Sequence, residues 1–409
     1  FKVSGTIPAE WAGETVEAVL DLGFATHSAG FSAEGLVYRP DGTAVKALNP
    51  RNTWLPVAER AVGGAEFTVH IEAAANPVVM HTAPGELTFG PTSVGGRAPW
   101  LGDPAADPGE PLYRLRRLDL AVFDREVHEL VQDLEVLRQL MPELSHDSPR
   151  RWQILRAVGL ALDAVDLQNV SGSARDALAS PAHASAHRIS AVGHAHIDTA
   201  WLWPLRETVR KVARTVSNVT QLMDDHPEFR FVMSQAQQLA WLKEHRPEVY
   251  ARAQEKAKTG QFLPTGSLWV EPDTNISGGE ALVRQFVHGK RFFLEEFGVE
   301  TEEMWLPDTF GYNAALPQLM KLAGVKWFLT QKISWNSTNR FPHHTFWWEG
   351  IDGTRIFSHF PPVDSYNGEL SGAEVAHSVR NFQDKSGSSH SLIPFGYGDG
   401  GGGPTREML

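Results

Sequence analysis

From residue 188 onward the chain alternates short apolar runs with segments of helical period, and few folds admit that pattern. The runs are RISAVG (188–193), FRFVMS (229–234), FLPTGSLWV (262–270), EMWL (303–306), VKWFLT (325–330) and SLIPF (391–395). Between the first two, Val209, Val212, Val216, Val219 and Met223 step by three and four, as one face of a helix does. Leu282, Phe286 and Phe293 mark a second helix, and ALPQLMKLAG (315–324) a third. Strands alternating with helices predict an α/β domain over residues 188–409, its parallel strands in a (β/α) barrel-like arrangement with the helices outside. WWEGIDGTRIFSHF (347–360) interrupts the alternation as a hairpin turning at Asp352-Gly353.

The earlier part of the chain has other periods. ETVEAVLDL (14–22), GLVYRP (35–40) and EFTVHIEA (66–73) alternate by two between turn-rich breaks such as RPDGTA (39–44). Residues 1–100 are therefore expected to form an antiparallel β-sandwich-like domain. GGRAPWLGDPAADPGEP (95–111) has the composition of a linker. Leu115, Leu118, Val122, Leu130, Leu134 and Leu137 then recur at helical spacing, and RRWQILRAVGLALDAVDL (150–167) comes next. A helical hairpin is expected within residues 112–180, and the chain as a whole is multidomain.

In parallel α/β architectures ligands bind beyond the carboxyl ends of the strands. His194, His196 and Asp198 follow the first run, Glu271 and Asp273 close the third, and Asp308 comes after EMWL. Lys332 follows VKWFLT, and Asp399 follows SLIPF through Gly-Tyr-Gly. Several strand ends thus deliver ionisable groups to one rim, which is the candidate site. A net charge of −12 argues against nucleic acid and anionic membranes as partners and is compatible with neutral sugars. No apolar stretch approaches the ~20 residues that span a bilayer. With no cysteine, disulfides and thiolate chemistry are excluded, and any transition metal must be held by imidazole nitrogen and carboxylate oxygen. The lack of disulfides suits a cytoplasmic location.

His196 and Asp198 sit at i and i+2, so in an extended segment both side chains face the same way and can share one ion. The competing reading is a loop in which Asp198 or Thr199 caps the helix beginning near Leu205. His194 alongside, and Trp201 and Trp203 just after, tip the balance to the metal. Asp308 reads either as a turn former or as a carboxylate held at the rim, able to bind metal and attack a substrate. Asp399, in GYGDGGGG, is equally a flexible loop residue or a proton carrier whose glycines let backbone approach a ligand. Trp201, Trp203, Trp269, Trp335, Trp347 and Trp348 lie in or beside strand-end segments, where indole faces suit the C–H faces of sugar rings.

HAHIDTAWLWPLRET, PTGSLWVEPDTNISGGEALVRQ, WLPDTFGYNAALPQLM, TQKISWN and FPHHTFWWEGIDGTRIFSHFPP resemble the glycoside hydrolase family 38 α-mannosidases. They are most similar to the branch with cytosolic and vacuolar enzymes, over about residues 188–404. The resemblance implies a retaining hydrolase of terminal α-mannosidic bonds that uses one Zn²⁺ ion and takes oligosaccharide substrates. It implies His196, Asp198 and Asp308 as zinc ligands, Asp308 also as nucleophile, and Asp399 as general acid/base. Trp201 would lie beneath the mannose ring, with Asp273 and Lys332 as sugar contacts. The family's fourth zinc ligand is a histidine further downstream than Leu409, so the chain is expected to be the N-terminal part of a longer enzyme. A homo-oligomer stays compatible with the sequence. Two rivals are a metal-dependent polysaccharide deacetylase, in which Asp308 would matter less, and a non-catalytic sugar-binding relative.

Overall fold

The computed structural model describes residues 1–24, 28–76, 80–83, 86–89, 113–167 and 169–409. The linker-like stretch 95–111 lies outside these residues. Among the described residues the N-terminal part forms a two-stranded sheet of Met80–Ala83 and Glu86–Phe89 and two larger antiparallel sheets. One orders its strands Lys2–Thr6, Glu66–Ala74, Glu34–Tyr38 and Ala44–Leu48. The other orders Trp54–Ala58, Val16–Asp21 and Arg117–Val122. Ala18, Leu20, Val37, Leu48, Leu55 and Ile71 fill the space between them. The period-two alternation explains this: Ala18 and Leu20 face that interior, while Glu17 on the opposite face is buried against Arg406, 2.7 Å away.

One expectation fails here. The spacing of Leu115, Leu118 and Val122 reads as the start of a helix, yet Arg117–Val122 is a strand paired antiparallel with Val16–Asp21 from Val16↔Val122 to Asp21↔Arg117. Leucines three or four apart are also met in a strand, and the open edge of Val16–Asp21 decides the outcome. Helices start only at Arg125–Leu140, where the Asp124 carboxylate accepts from the Val127 N–H as N-cap. Pro149–Asp166 and Ser173–Ala179 come after it, and Leu130, Leu137, Ile154, Ala161 and Ala174 make their shared core.

The remainder holds two four-stranded sheets among the described residues. The first is wholly parallel, in the order Phe262–Leu268, Phe231–Gln235, Arg188–His194, His390–Phe395. The second runs Glu303–Leu306, Trp327–Thr330 and Arg355–His359 in parallel, with Thr345–Glu349 antiparallel at the edge. That last pair is the expected hairpin, and Gly353 takes φ +81° in its turn. Helix Leu205–Asp225 lies between the N-terminal domain and the first sheet. Val212, Val216, Val219 and Met223 are buried as the period requires, Val209 only partly. Lys211, Arg214 and Asn218 on its other side are buried too, because the N-terminal domain covers them; Asn218 Oδ1 accepts from the Ala47 N–H at 2.9 Å. Among the described residues no helix is long and apolar enough to cross a membrane.

Candidate active site

Strand Arg188–His194 runs on into Ala195–Asp198, and strand His390–Phe395 into the glycine run, so the two strand ends lie side by side. Ile197 bridges Asp399 and Gly400, and the Asp198 N–H donates to the Asp399 carbonyl at 2.9 Å. From the other side, Gln235 and Gln238 donate to the Ile197 carbonyl at 2.9 and 2.7 Å. The backbone carrying the histidine and the aspartates is thereby held on both edges. Residues 396–404 are buried apart from partly exposed Tyr397 and Asp399, so the glycine run is packed backbone rather than a loose loop.

The side chains converge as their strand ends suggest. His196 Nε2 lies 3.4 Å from Asp198 Oδ1 and 3.5 Å from Asp308 Oδ2. Donor atoms of His196, Asp198 and Asp399 all fall within 4.8 Å of one another. Asp399 thus joins the tightest set, where the sequence reading places Asp308, while Asp308 borders the same nitrogen. Lys332 donates to Asp308 Oδ1, and its ammonium lies 4.2 Å from the centre of the Trp335 ring.

Two residues shape this cluster without being singled out by sequence. Glu271 Oε2 is 2.8 Å from His196 Nδ1. It stands at a strand end and was visible there, but nothing local told its partner. Tyr366 OH contacts Asp308 Oδ1 at 2.9 Å and Asp399 Oδ1 at 2.8 Å. Sharing that hydroxyl, the two carboxylate oxygens lie no more than 5.7 Å apart, the two contacts laid end to end. Tyr366 comes after strand Arg355–His359, so the strand-end rule applied to the hairpin's second strand would have found it.

His194, by contrast, leaves the cluster. It is fully buried, its Nε2 accepts from Trp305 Nε1 at 3.2 Å, and burial pulls its pKa down to about 3. It is a neutral core histidine. Asp273 is exposed, and its Oδ1 accepts from the Asn275 and Ile276 N–H groups. Trp201 is 44% exposed at the rim, edge-on to Phe31 and Trp203. Trp335 stacks on Tyr366 at 5.6 Å.

Electrostatics shift the two carboxyls in opposite directions. Burial would raise Asp308, but His196 and Lys332 outweigh it and hold that carboxyl below the usual range. Burial raises Asp399, with the Asp198 and Asp308 charges adding to it. The Tyr366 hydroxyl points its one hydrogen toward both Asp308 Oδ1 and Asp399 Oδ1, and so couples the two carboxyls.

The residues also fit a metal ion. Both ring nitrogens of His196 are buried without a hydrogen-bond partner, Nδ1 beside Glu271 and Nε2 facing the Asp198 and Asp308 carboxylates. A lone pair against anions is repulsive unless a cation lies between them. Burial would depress the His196 imidazole, yet Glu271, Asp198 and Asp308 together hold it well above the ordinary range; the proton they demand stands where an ion would bind. Glu271→Gln should therefore weaken metal affinity by about 10–100-fold, the usual cost of losing the partner that orients a ligating imidazole. Titration of the full-length protein with Zn²⁺ would check this, and unchanged affinity would deny Glu271 that role.

Comparison with known proteins bears on the same segments. Residues 186–409 match the glycosyl hydrolases family 38 N-terminal domain, and residues 1–121 match the jelly roll domain of alpha-mannosidases. The chain is 44% identical to alpha-mannosidase 2C1 of Homo sapiens, over all of this chain and 38% of the relative. It is 38% identical to alpha-mannosidase G of Dictyostelium discoideum, over all of this chain and 36% of the relative. It is 49% identical to an alpha-mannosidase of Saccharomyces cerevisiae, over 53% of this chain and 20% of the relative. The chain thus spans well under half the length of these relatives.

Proposed function

Because the chain belongs to glycosyl hydrolase family 38, we propose that it carries the core of a zinc-dependent retaining α-mannosidase acting on terminal α-mannosides of oligosaccharides. The observation that carries this reading is the pair Asp308 and Asp399, bridged by Tyr366 with their Oδ1 atoms no more than 5.7 Å apart. Double displacement needs carboxyls about 5–5.5 Å apart, whereas direct attack by water needs roughly 6.5–9.5 Å. The opposite directions in which the two carboxyls are shifted support the same division of labour.

In the first step the Asp308 carboxylate attacks the anomeric carbon as the bond to the leaving oxygen breaks, and Asp399 gives its proton to that oxygen. In the second step Asp399 takes a proton from water, whose oxygen attacks the anomeric carbon and frees Asp308. Two inversions return the original configuration. Lys332 and Tyr366 keep Asp308 ionised and aimed. His196, Asp198 and Asp308 would hold the ion, with Asp399 left to carry the proton. Zn²⁺, when bound, supplies a template for adjacent sugar hydroxyls and positive charge beside the reacting centre. Trp201 is the platform for the ring, and Asp273 and Lys332 are its polar contacts.

The finer architecture belongs to the same proposal. Ser267 Oγ donates to the Glu303 carbonyl, joining an edge strand of each sheet, and His359 Nε2 on the inner strand Arg355–His359 accepts from the Leu392 N–H; the two contacts support one barrel-like wall. Helices Arg125–Leu140 and Pro149–Asp166 are read as the helical hairpin. A cytoplasmic location fits the absence of cysteine. The test is hydrolysis of an aryl α-mannoside by the full-length protein, with the anomer of the product followed by NMR. α-Mannose released first, abolished by a chelator and restored by Zn²⁺, is the expected result. β-Mannose first would exclude retention, and no turnover with zinc bound would exclude the mannosidase.

A further inference from the structure

The N-terminal domain packs on the glycine run, and at Gly30 the approach is backbone against backbone. Gly30 has φ +84°, and a Cβ there would stand 2.5 Å from the Cα, C and O of Gly400. Conversely, a Cβ on Gly400 would stand 2.6 Å from the Gly30 carbonyl oxygen. That carbonyl accepts from Lys211 Nζ at 2.6 Å, and the ammonium, 1% exposed, is paired with Glu34 at 2.7 Å. Gly30 is therefore clamped between a buried cation and the glycine run.

The clamp presses on Asp399. This residue has φ +59°, a left-handed conformation that a non-glycine residue keeps only when its surroundings enforce it. Ile197 enforces it on one side, and Thr215 anchors the Gly402 N–H at 3.0 Å. Gly30 closes the remaining side at Gly400, the next residue along. Phe31 meanwhile lies edge-on to Trp201, so one short loop of the N-terminal domain abuts both the residue next to Asp399 and the aromatic rim.

We propose that Gly30 is a positioning residue for Asp399, which makes the N-terminal domain a working part of the site rather than an appended module. The proposal rests on the reading of Asp399 as general acid. A displaced acid harms substrates by leaving group: a sugar or methanol must be protonated as it departs, whereas dinitrophenolate leaves as a stable anion. In the full-length protein, Gly30→Ala should lower kcat/KM for α-mannobiose or methyl α-mannoside by roughly 10-fold or more relative to that for dinitrophenyl α-mannoside. The ratio is taken on one preparation, so a loss of folded protein cancels from it. Lys211→Met, which removes the cation at nearly constant volume, should move the ratio in the same direction and carries the test if Gly30→Ala yields no soluble enzyme. Asp399→Ala is run in parallel. If Asp399→Ala shifts the ratio and the other two variants leave it at the wild-type value, the positioning role is overturned. If Asp399→Ala leaves it unchanged, the assignment of the acid falls first, and the proposal with it.

Discussion

Asp308→Ala should lower kcat on aryl α-mannosides by on the order of 10⁴-fold or more, the scale on which removal of a nucleophile acts. No neighbour can take its place. Asp399 lies across Tyr366, Asp198 is turned to His196, and Glu271 faces the far nitrogen of the same ring. The loss should be one of chemistry, because Asp308 lies at a strand end and its partners Lys332 and Tyr366 keep aromatic neighbours without it. The thermal midpoint should accordingly stay within a few degrees of wild type. A fluorinated mannosyl substrate that stalls the intermediate should add one sugar mass to the peptide containing Asp308. A variant retaining activity within about 10-fold of wild type, or a label on another peptide, would remove Asp308 from the nucleophile's place.

His196→Ala should abolish stoichiometric metal binding and, with it, nearly all turnover. Losing a partner that merely orients a ligand costs about 10–100-fold in affinity, so losing the ligand itself should cost more than about 100-fold. The structure adds a reason for severity. Glu271 is 4% exposed at its side chain and faces His196 Nδ1, so without the imidazole a buried carboxylate keeps only the Ser234 hydroxyl. Elemental analysis after dialysis separates the outcomes. Wild type should retain about one equivalent of zinc and the variant almost none. Full zinc occupancy in the variant would place the metal elsewhere in the molecule.

Much of this site could be read from local order. Strand runs are set by residue type and a period of two, and chain continuity fixes which residues stand at each strand's end. His196, Asp198, Asp308, Lys332 and Asp399 were therefore legible as strand-end groups, and their convergence came from the parallel topology that the alternation demanded. Partnership was not legible. Two histidines two residues apart look equivalent in HAHID, yet His194 is sealed against Trp305 and only His196 meets the carboxylates. The difference lies in which wall each ring faces, and those walls come from residues 305 and 308, over 100 positions away in sequence.

Tertiary structure also decided the places where local patterns were ambiguous. Leu115, Leu118 and Val122 satisfied a helical spacing, but the unfilled edge of Val16–Asp21 drew Arg117–Val122 into a sheet, because backbone groups at an edge are best satisfied by another strand. The glycine run gave no sign of whether it was loose or packed, and its burial against Gly30, Thr215 and Ile197 could come only from the N-terminal domain and the long helix docking on it. Sequence by itself determined the kinds of layer, the strand-end rim and the chemistry available there. Only the assembled molecule decided which groups share a proton, which face an ion and which merely fill the core, since those choices depend on distances between segments that chain order does not encode.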